Sequence, residues 1–171
     1  MTNANTQVNI LSIHKKIFIK TVYLFKQSLD ESEQAYLKAI SERPTFFLAQ
    51  MNLGKLRFIR KKYEESIDPL TEAVKIQASS ADANYYLGEA YLQLKKGSKA
   101  VGYLYEALKL DPVGRAEVHL HLAALYNAAK LKDKAAAEYA EFLKKKPDYP
   151  DRKKLEQYIA ENKPAADAKK P

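Results

Sequence analysis

Residues 81–112 read ADANYYLGEAYLQLKKGSKAVGYLYEALKLDP, and this stretch decides the fold. Two amphipathic helical patterns lie on either side of a polar break, Lys-Lys-Gly-Ser, at residues 95–98. Pro112 ends the second pattern, because proline has no amide hydrogen with which to continue a helix. The stretch therefore predicts two antiparallel helices joined by a short turn.

The same pattern occurs before and after this stretch, at a step of 34 or 35 residues. Leu53-Gly54, Leu87-Gly88 and Leu122-Ala123 align with one another. The other aligned columns are Arg57, Tyr91 and Tyr126; Ser66, Ala100 and Ala135; Leu70, Leu104 and Tyr139; Ala39, Ala73, Ala107 and Phe142; and Pro44, Ala78, Pro112 and Pro147. A period of this length is typical of helix-turn-helix repeats.

The residue types in these columns have a packing explanation. Gly88 and Ala100 are small where the two helices of a pair cross, so the two backbones can approach closely. Ala107 is small where the pair meets the next pair. One pair cannot bury both of its faces, and stacking of successive pairs buries them in a continuous core.

The central repeat matches the residue pattern of one known family at Leu87, Gly88, Tyr91, Ala100, Ala107 and Pro112. Through these residues the chain resembles the tetratricopeptide repeat family, clearly over residues 45–147 and more weakly over residues 14–44. Lys20 departs from the pattern, because a small residue is expected there. The resemblance implies an all-α fold, an α-solenoid of stacked antiparallel helix pairs in a right-handed superhelix, with a C-terminal capping helix.

We expect a single domain over residues 8–162, between a frayed terminus (1–7) and a disordered tail (163–171). The expected repeats are at about 13–46, 47–80, 81–114 and 116–149, followed by the capping helix at 151–162. Residues 8–27 are rich in strand-favouring Ile, Val, Phe, Tyr and Thr, yet their apolar residues follow helical spacing, and we interpret them as a helix. The acidic run at 30–33 predicts that the next helix covers Glu31–Arg43. We expect Thr45 to cap a helix at about Phe46–Arg60 and Asp133 to cap one at about Lys134–Lys145. Further helices are expected at about Arg115–Ala129 and about Arg152–Asn162.

The resemblance also implies a concave groove, lined mainly by the first helix of each pair, in which family members bind peptides or partner proteins. The corresponding positions here are Ile17, Thr21, Leu24, Leu48, Met51, Lys55, Phe58, Asp82, Tyr85, Glu89, Leu92, Glu117, Leu120, Ala124 and Asn127. Their N-terminal half is apolar, and their C-terminal half is polar and mildly acidic. We therefore expect a protein-interaction scaffold whose groove binds an amphipathic or apolar segment, unless the chain's own N-terminus fills it.

The formal net charge of +8 raises the alternative of a nucleic acid or an anionic membrane as partner. Much of the excess lies at residues 144–146, 152–154 and 163–171, and no nucleic-acid-binding motif accompanies it. We expect the lysines to solvate helix faces, with neither nucleic acid nor membrane as the partner.

The unusual N-terminal segment leaves open self-association through its helix. It also leaves open an interaction domain of a larger exported or membrane-associated assembly protein.

Catalytic and metal-binding signals are weak. The sequence contains no cysteine, P-loop or nucleophile elbow. His119 and His121 are two residues apart, so on a helix they point in different directions and cannot share a metal ion. Glu64 and Glu65 lie at a helix start, where they complement the helix dipole. We expect a protein that is not an enzyme and needs no metal or cofactor.

The sequence has neither an apolar segment long enough for a membrane span nor a signal-peptide pattern, and this predicts a cytoplasmic location.

Overall fold

The computed structural model describes residues 26–162, and all the regular secondary structure in that part of the chain is helical. The helices are α1 (26–42), α2 (Phe47–Ile59), α3 (Tyr63–Ile76), α4 (Ala81–Gln93), α5 (Gly97–Leu110), α6 (Val118–Ala128), α7 (Lys132–Lys145) and α8 (Arg152–Asn162). The expectations for the two termini, including the groove positions Ile17, Thr21 and Leu24, lie outside the described residues.

The helices pack as neighbours along the chain. α2 packs against α3, α4 against α5, and α6 against α7, while α3 also contacts α4 and so joins two pairs. α8 packs on α7 at the C-terminal end of the stack. The structure is thus an all-α solenoid of stacked antiparallel pairs with a capping helix, which confirms the predicted fold class.

Close approach of the two helices in a pair depends on glycine. A Cβ atom added to Gly88 would lie 2.8 Å from the Leu104 side chain and 3.2 Å from its backbone nitrogen. A Cβ atom added to Gly54 in the preceding pair would lie 2.5 Å from the Leu70 side chain and 3.2 Å from its backbone nitrogen. Leu70, Leu87 and Leu104 are fully buried. The small residues singled out in the sequence therefore lie where two backbones approach each other.

Each turn within a pair contains a lysine in the left-handed backbone conformation. Lys61, Lys95 and Lys130 have φ angles of 60°, 57° and 60°. The amide of the residue after each lysine donates to a carbonyl five positions earlier, as in Lys96 N to Tyr91 O at 2.9 Å. Glycine is the usual residue at such helix ends, so the sequence located these breaks without indicating their conformation.

Several predicted helix starts are wrong. The helix expected to begin at Glu31 is already helical at residue 26, so the acidic run lies inside α1. Thr45 and Asp133 were expected to cap α2 and α7, but those helices follow Phe46 and Leu131 and have no side-chain cap. Acidic and hydroxyl residues are favoured at helix starts, but they also occur within helices and in the preceding turns. Their presence therefore does not determine the first residue of a helix.

The linker between α5 and α6 is longer than its counterpart between α3 and α4. It covers residues 111–117, whereas residues 77–80 join α3 to α4. The Asp111 carboxylate accepts a hydrogen bond from the Gly114 amide at 2.8 Å, and further turns follow. α6 therefore begins at Val118 instead of the predicted Arg115. α5 and α6 also contact each other through fewer residues than α3 and α4 do, so this junction is the looser one.

Candidate functional site

The first helices of the three central pairs carry the predicted groove positions. α2 contacts α4 directly. α4 is connected to α6 and its preceding linker by side chains, because Asp82 pairs with Arg115 and Glu89 pairs with His121. These contacts place most of the predicted residues along one row of neighbouring helices, but the residues differ in what they can contact.

An aromatic and cationic group joins α2 to α4. The Lys55 ammonium lies 5.2 Å from the centroid of the Tyr86 ring, and the Phe58 ring meets the same tyrosine edge-on at 5.5 Å. Tyr85 is the next ring, at a centroid distance of 5.3 Å from Tyr86. All four side chains are half-buried. Such rings offer apolar area together with a hydroxyl group, which suits recognition of a peptide.

Leu48 and Met51 on α2 differ in what they can contact. Leu48 is 56% exposed, an unusual fraction for leucine in a packed helix. Met51 is only 5% exposed and packs in the core with Leu70 and Leu87. Leu48 is therefore available to a ligand, whereas Met51 supports the groove from beneath.

Arg115 holds the middle of the row together. Its guanidinium pairs with Asp82 and lies 4.5 Å from the centroid of the Tyr85 ring. Burial, with a smaller contribution from nearby Glu89, raises the pKa of Tyr85 to about 12. Burial also lowers the pKa of Arg115. Tyr85 is thus an uncharged hydroxyl at neutral pH. The sequence did not identify Arg115, because it precedes α6 and belongs to no groove column.

Glu89 is engaged by another helix. One of its carboxylate oxygens lies 2.5 Å from Nδ1 of His121 on α6, and its side chain is only 7% exposed. The hydrogen bond to Glu89 raises the pKa of His121. Glu89 therefore links α4 to α6 and does not present a free carboxylate to a ligand.

The C-terminal positions separate into different environments. Glu117 and Leu120 line a cavity of about 440 Å³ together with Phe142 and Tyr149. Asn127 is occupied by hydrogen bonds to the hydroxyls of Tyr139 and Tyr158, which tie α6 to α7 and α8. Ala124 is exposed. Leu92 lies apart from these, in a cleft between the α4–α5 and α6–α7 pairs.

A second polar cluster lies between α5, α6 and α7. The buried Glu138 carboxylate is 2.7 Å from Nδ1 of His119 and also accepts a hydrogen bond from Tyr105, whose hydroxyl is 3.1 Å from that of Tyr126. Burial and this carboxylate raise the pKa of Tyr105. Sequence reasoning missed the cluster because its hydrogen-bonded partners are 19 to 33 residues apart in the chain.

Neither a cluster of metal ligands nor a helix suited to a membrane span occurs within residues 26–162. His119 and His121 bind different carboxylates, and this part of the chain has no group of three or more His, Cys, Asp or Glu side chains that could hold a metal ion. No helix between these limits is long and apolar enough to cross a membrane.

Two family models match the chain. Residues 54–95 match a model described as "TPR repeat", and residues 81–113 match one described as "Tetratricopeptide repeat". A curated relative is the protein O-mannosyl-transferase TMTC3 of Homo sapiens, 28% identical over 120 residues. That match covers 68% of this chain and only 12% of the length of the relative.

Solved structures share the same fold. One structure of MamA superposes with a TM-score of 0.70 at 23% identity, covering 88% of each chain. YrrB, whose description is a TPR protein with an unusual peptide-binding site, superposes with a TM-score of 0.69 at 20% identity. That match covers 83% of this chain and 74% of YrrB. At these identities the similarity establishes the fold.

Proposed function

This chain is a tetratricopeptide-repeat protein, and on that basis we propose that it is a protein-interaction scaffold. Its groove, formed by α2, α4 and the α6 region, binds an extended or helical segment of a partner protein. The observation that carries the proposal is the row of partly exposed side chains from Leu48 through Phe58 to Tyr85. Peptide binding by YrrB, a protein of the same fold, supports it further.

The partner segment is expected to be amphipathic. Leu48 and the Phe58 and Tyr86 rings offer apolar contact at the α2 end of the groove. Lys55 places a cationic group beside the Tyr86 ring, whereas Arg115 lies over the Tyr85 ring and is already paired with Asp82. Because Asp82 pairs with Arg115 and Glu89 pairs with His121, two of the acidic groups predicted for the groove are already engaged within the protein. Apolar side chains with an adjacent carboxylate fit this surface better than a strongly basic segment does.

Selection from a displayed peptide library on the intact chain tests the proposal. A selected peptide is then measured against the wild type, against Leu48→Glu, and against Ile76→Glu as a matched control. Ile76 is also an exposed apolar residue, 37% exposed, but it lies at the end of α3. We expect Leu48→Glu to weaken binding by about tenfold, since it removes an apolar contact and adds a charge, while Ile76→Glu leaves the affinity unchanged. Equal loss in both variants, or in neither, would contradict the groove assignment.

A further inference from the structure

The cleft that contains Leu92 lies at the edge of the solenoid formed by the turns within the pairs, away from the Leu48–Tyr85 row. It opens between the α4–α5 turn and the α6–α7 turn and has a volume of about 620 Å³. Leu92, Val101, Leu125 and Leu131 supply its apolar lining. Its size lies within the range of ligand-binding clefts.

The cleft lies between two pairs whose junction differs from the preceding one. The repeat step lengthens by one residue between Pro112 and Leu122, and the longer 111–117 linker delays the start of α6. α5 and α6 also contact each other less extensively than α3 and α4 do. Gly97 allows the start of α5 to approach α6 closely at the base of the cleft, since a Cβ atom added to it would lie 2.8 Å from the Leu125 side chain.

The rim of this cleft, defined by the two turns that border it, is strongly basic, and Lys95 itself lines the cleft. Its two turns and the helix starts that follow them carry six exposed lysines: Lys95, Lys96, Lys99, Lys130, Lys132 and Lys134. Asp133 is the acidic residue within the same two segments. None of the six ammonium groups lies within 4.0 Å of a carboxylate of residues 26–162. The rim therefore presents a concentrated positive charge beside apolar surface.

We propose that this cleft is a second docking site, which binds an acidic amphipathic helix of a partner protein. The apolar face of that helix occupies the floor at Val101 and Leu125, and its flanking carboxylates pair with the lysines of the two turns. Charge complementarity identifies the occupant, because the rim attracts carboxylates and repels basic segments.

The arrangement favours a peptide over a membrane or a nucleic acid. The cleft is lined by half-buried apolar side chains, those of Leu92, Val101 and Leu125. Because they do not project from the surface, they can contact the side chains of a bound peptide but cannot insert into a bilayer. The Tyr126 hydroxyl is bonded to Tyr105, and the Lys134 ammonium lies 5.7 Å from the centroid of the Tyr126 ring, so this ring is already occupied by the protein's own groups. A free aromatic face for base stacking is therefore lacking at Tyr126.

Fluorescence anisotropy with synthetic helical peptides and the full chain tests the proposal. The first peptide has leucines on one face and glutamates on the others, the second replaces its glutamates with lysines, and the third replaces its leucines with glutamines. We expect saturable binding of the first peptide that weakens with added salt, and affinities at least about tenfold lower for the other two. Comparable affinity for the leucine–lysine peptide would overturn the proposal.

Two variants place the binding at the cleft. Leu131→Glu changes an exposed floor residue, and Lys96→Glu/Lys132→Glu reverses the rim charge at positions without a positive φ angle. Each is expected to weaken binding of the leucine–glutamate peptide by about tenfold. The double variant Lys38→Glu/Lys153→Glu, which makes the same charge change at exposed positions on α1 and α8, is the control. Circular dichroism melting of every variant verifies that it is folded.

The remaining outcomes are equally decisive. Unchanged affinity in both cleft variants overturns the site, as does an equal loss in the control. Binding of phosphatidylserine vesicles or a single-stranded oligonucleotide without binding of the leucine–glutamate peptide overturns the assigned partner. Because Leu48→Glu leaves this cleft unaltered, retained binding in that variant separates the cleft from the proposed groove.

Discussion

Arg57 departs from the repeat pattern, and its contacts explain the departure. Tyr91 and Tyr126 occupy the same column in the next two pairs. The Arg57 guanidinium instead lies 2.9 Å from the Glu33 carboxylate of α1, which also binds Arg60 at 3.0 Å. A shielded ion pair thus replaces ring packing where α1 meets α2. The sequence revealed the odd residue but not its partner, since Glu33 is 24 positions earlier.

Two glycines in adjacent helices provide a matched test of the packing. We predict that Gly88→Ala destabilises the protein by about 1–3 kcal/mol, because its methyl group would overlap Leu104. Gly102→Ala adds the same methyl group to α5 where no atom lies within 4 Å. It is expected to stabilise by about 0.5–1 kcal/mol, since alanine favours a helix. Urea denaturation measures both, and a Gly88→Ala protein as stable as Gly102→Ala would refute the close crossing.

The pair of His121 and Glu89 predicts a pH dependence. The hydrogen bond to Glu89 raises the pKa of His121 above the unfolded value of about 6.5. Its contribution to stability is therefore fully present below pH 6.5 or so and is lost as the pH rises through the raised pKa. We expect Glu89→Gln to bring the pKa of His121 down and to flatten the fall in stability over this window.

NMR titration of the histidine ring and urea denaturation at several pH values measure these two effects. Glu106→Gln, a neutralised carboxylate on α5 that pairs with Lys109, is the control and should leave the His121 titration unchanged. A His121 pKa that is the same in wild type and Glu89→Gln would contradict the assignment of this pair.

At the scale of whole helices, α8 stabilises the end of the stack. The Tyr158 ring meets the Tyr139 ring edge-on at 5.2 Å, and its hydroxyl donates to Asn127 on α6. We predict that Tyr158→Ala lowers the free energy of unfolding by about 1–3 kcal/mol, because both contacts are lost. Gln157→Ala, an exposed neighbour on the same helix, should cost less than about 0.5 kcal/mol. Equal effects in thermal or urea denaturation would show that α8 is not held through this tyrosine.

The junction between α5 and α6 is predicted to open before the rest of the stack. Stacked repeats are stabilised by their interfaces with neighbours, so the thinnest interface is the weakest point. We expect native-state hydrogen exchange in low urea to show lower opening free energies for α6–α8 than for α3–α5. Indistinguishable values across both groups would show that the longer 111–117 linker has no energetic consequence.

Most helix positions could be predicted from the sequence, but the details around them could not. The predicted helix at Arg152–Asn162 agrees with α8, because Pro150 and the polar residues after 162 limit it. The α6 start was missed because Arg115 fits a helical pattern, while the turn that displaces it depends on the Asp111 side chain. Glu89 was assigned to the groove by its column, but the sequence did not indicate its pairing with His121, which lies 32 residues away. Contacts at such distances carry no periodic signal.

At the scale of the whole molecule, the stack separates structural from binding residues. The repeated residues, such as Gly88, Leu104 and Ala107, are buried and hold the pairs together. Residues that differ between repeats, such as Leu48 and Lys55, remain partly exposed. Specificity for a partner is therefore expected to depend on the residues that vary from one repeat to the next.

The most direct test of the scaffold function is hydrogen–deuterium exchange of the full chain, free and saturated with a peptide selected on it. We expect added protection in α2 and α4 and in the α6 region around Arg115, where the groove side chains lie. Protection confined to α3, α5 and α7, with α2 and α4 unchanged, would contradict the claim that the groove is the binding surface.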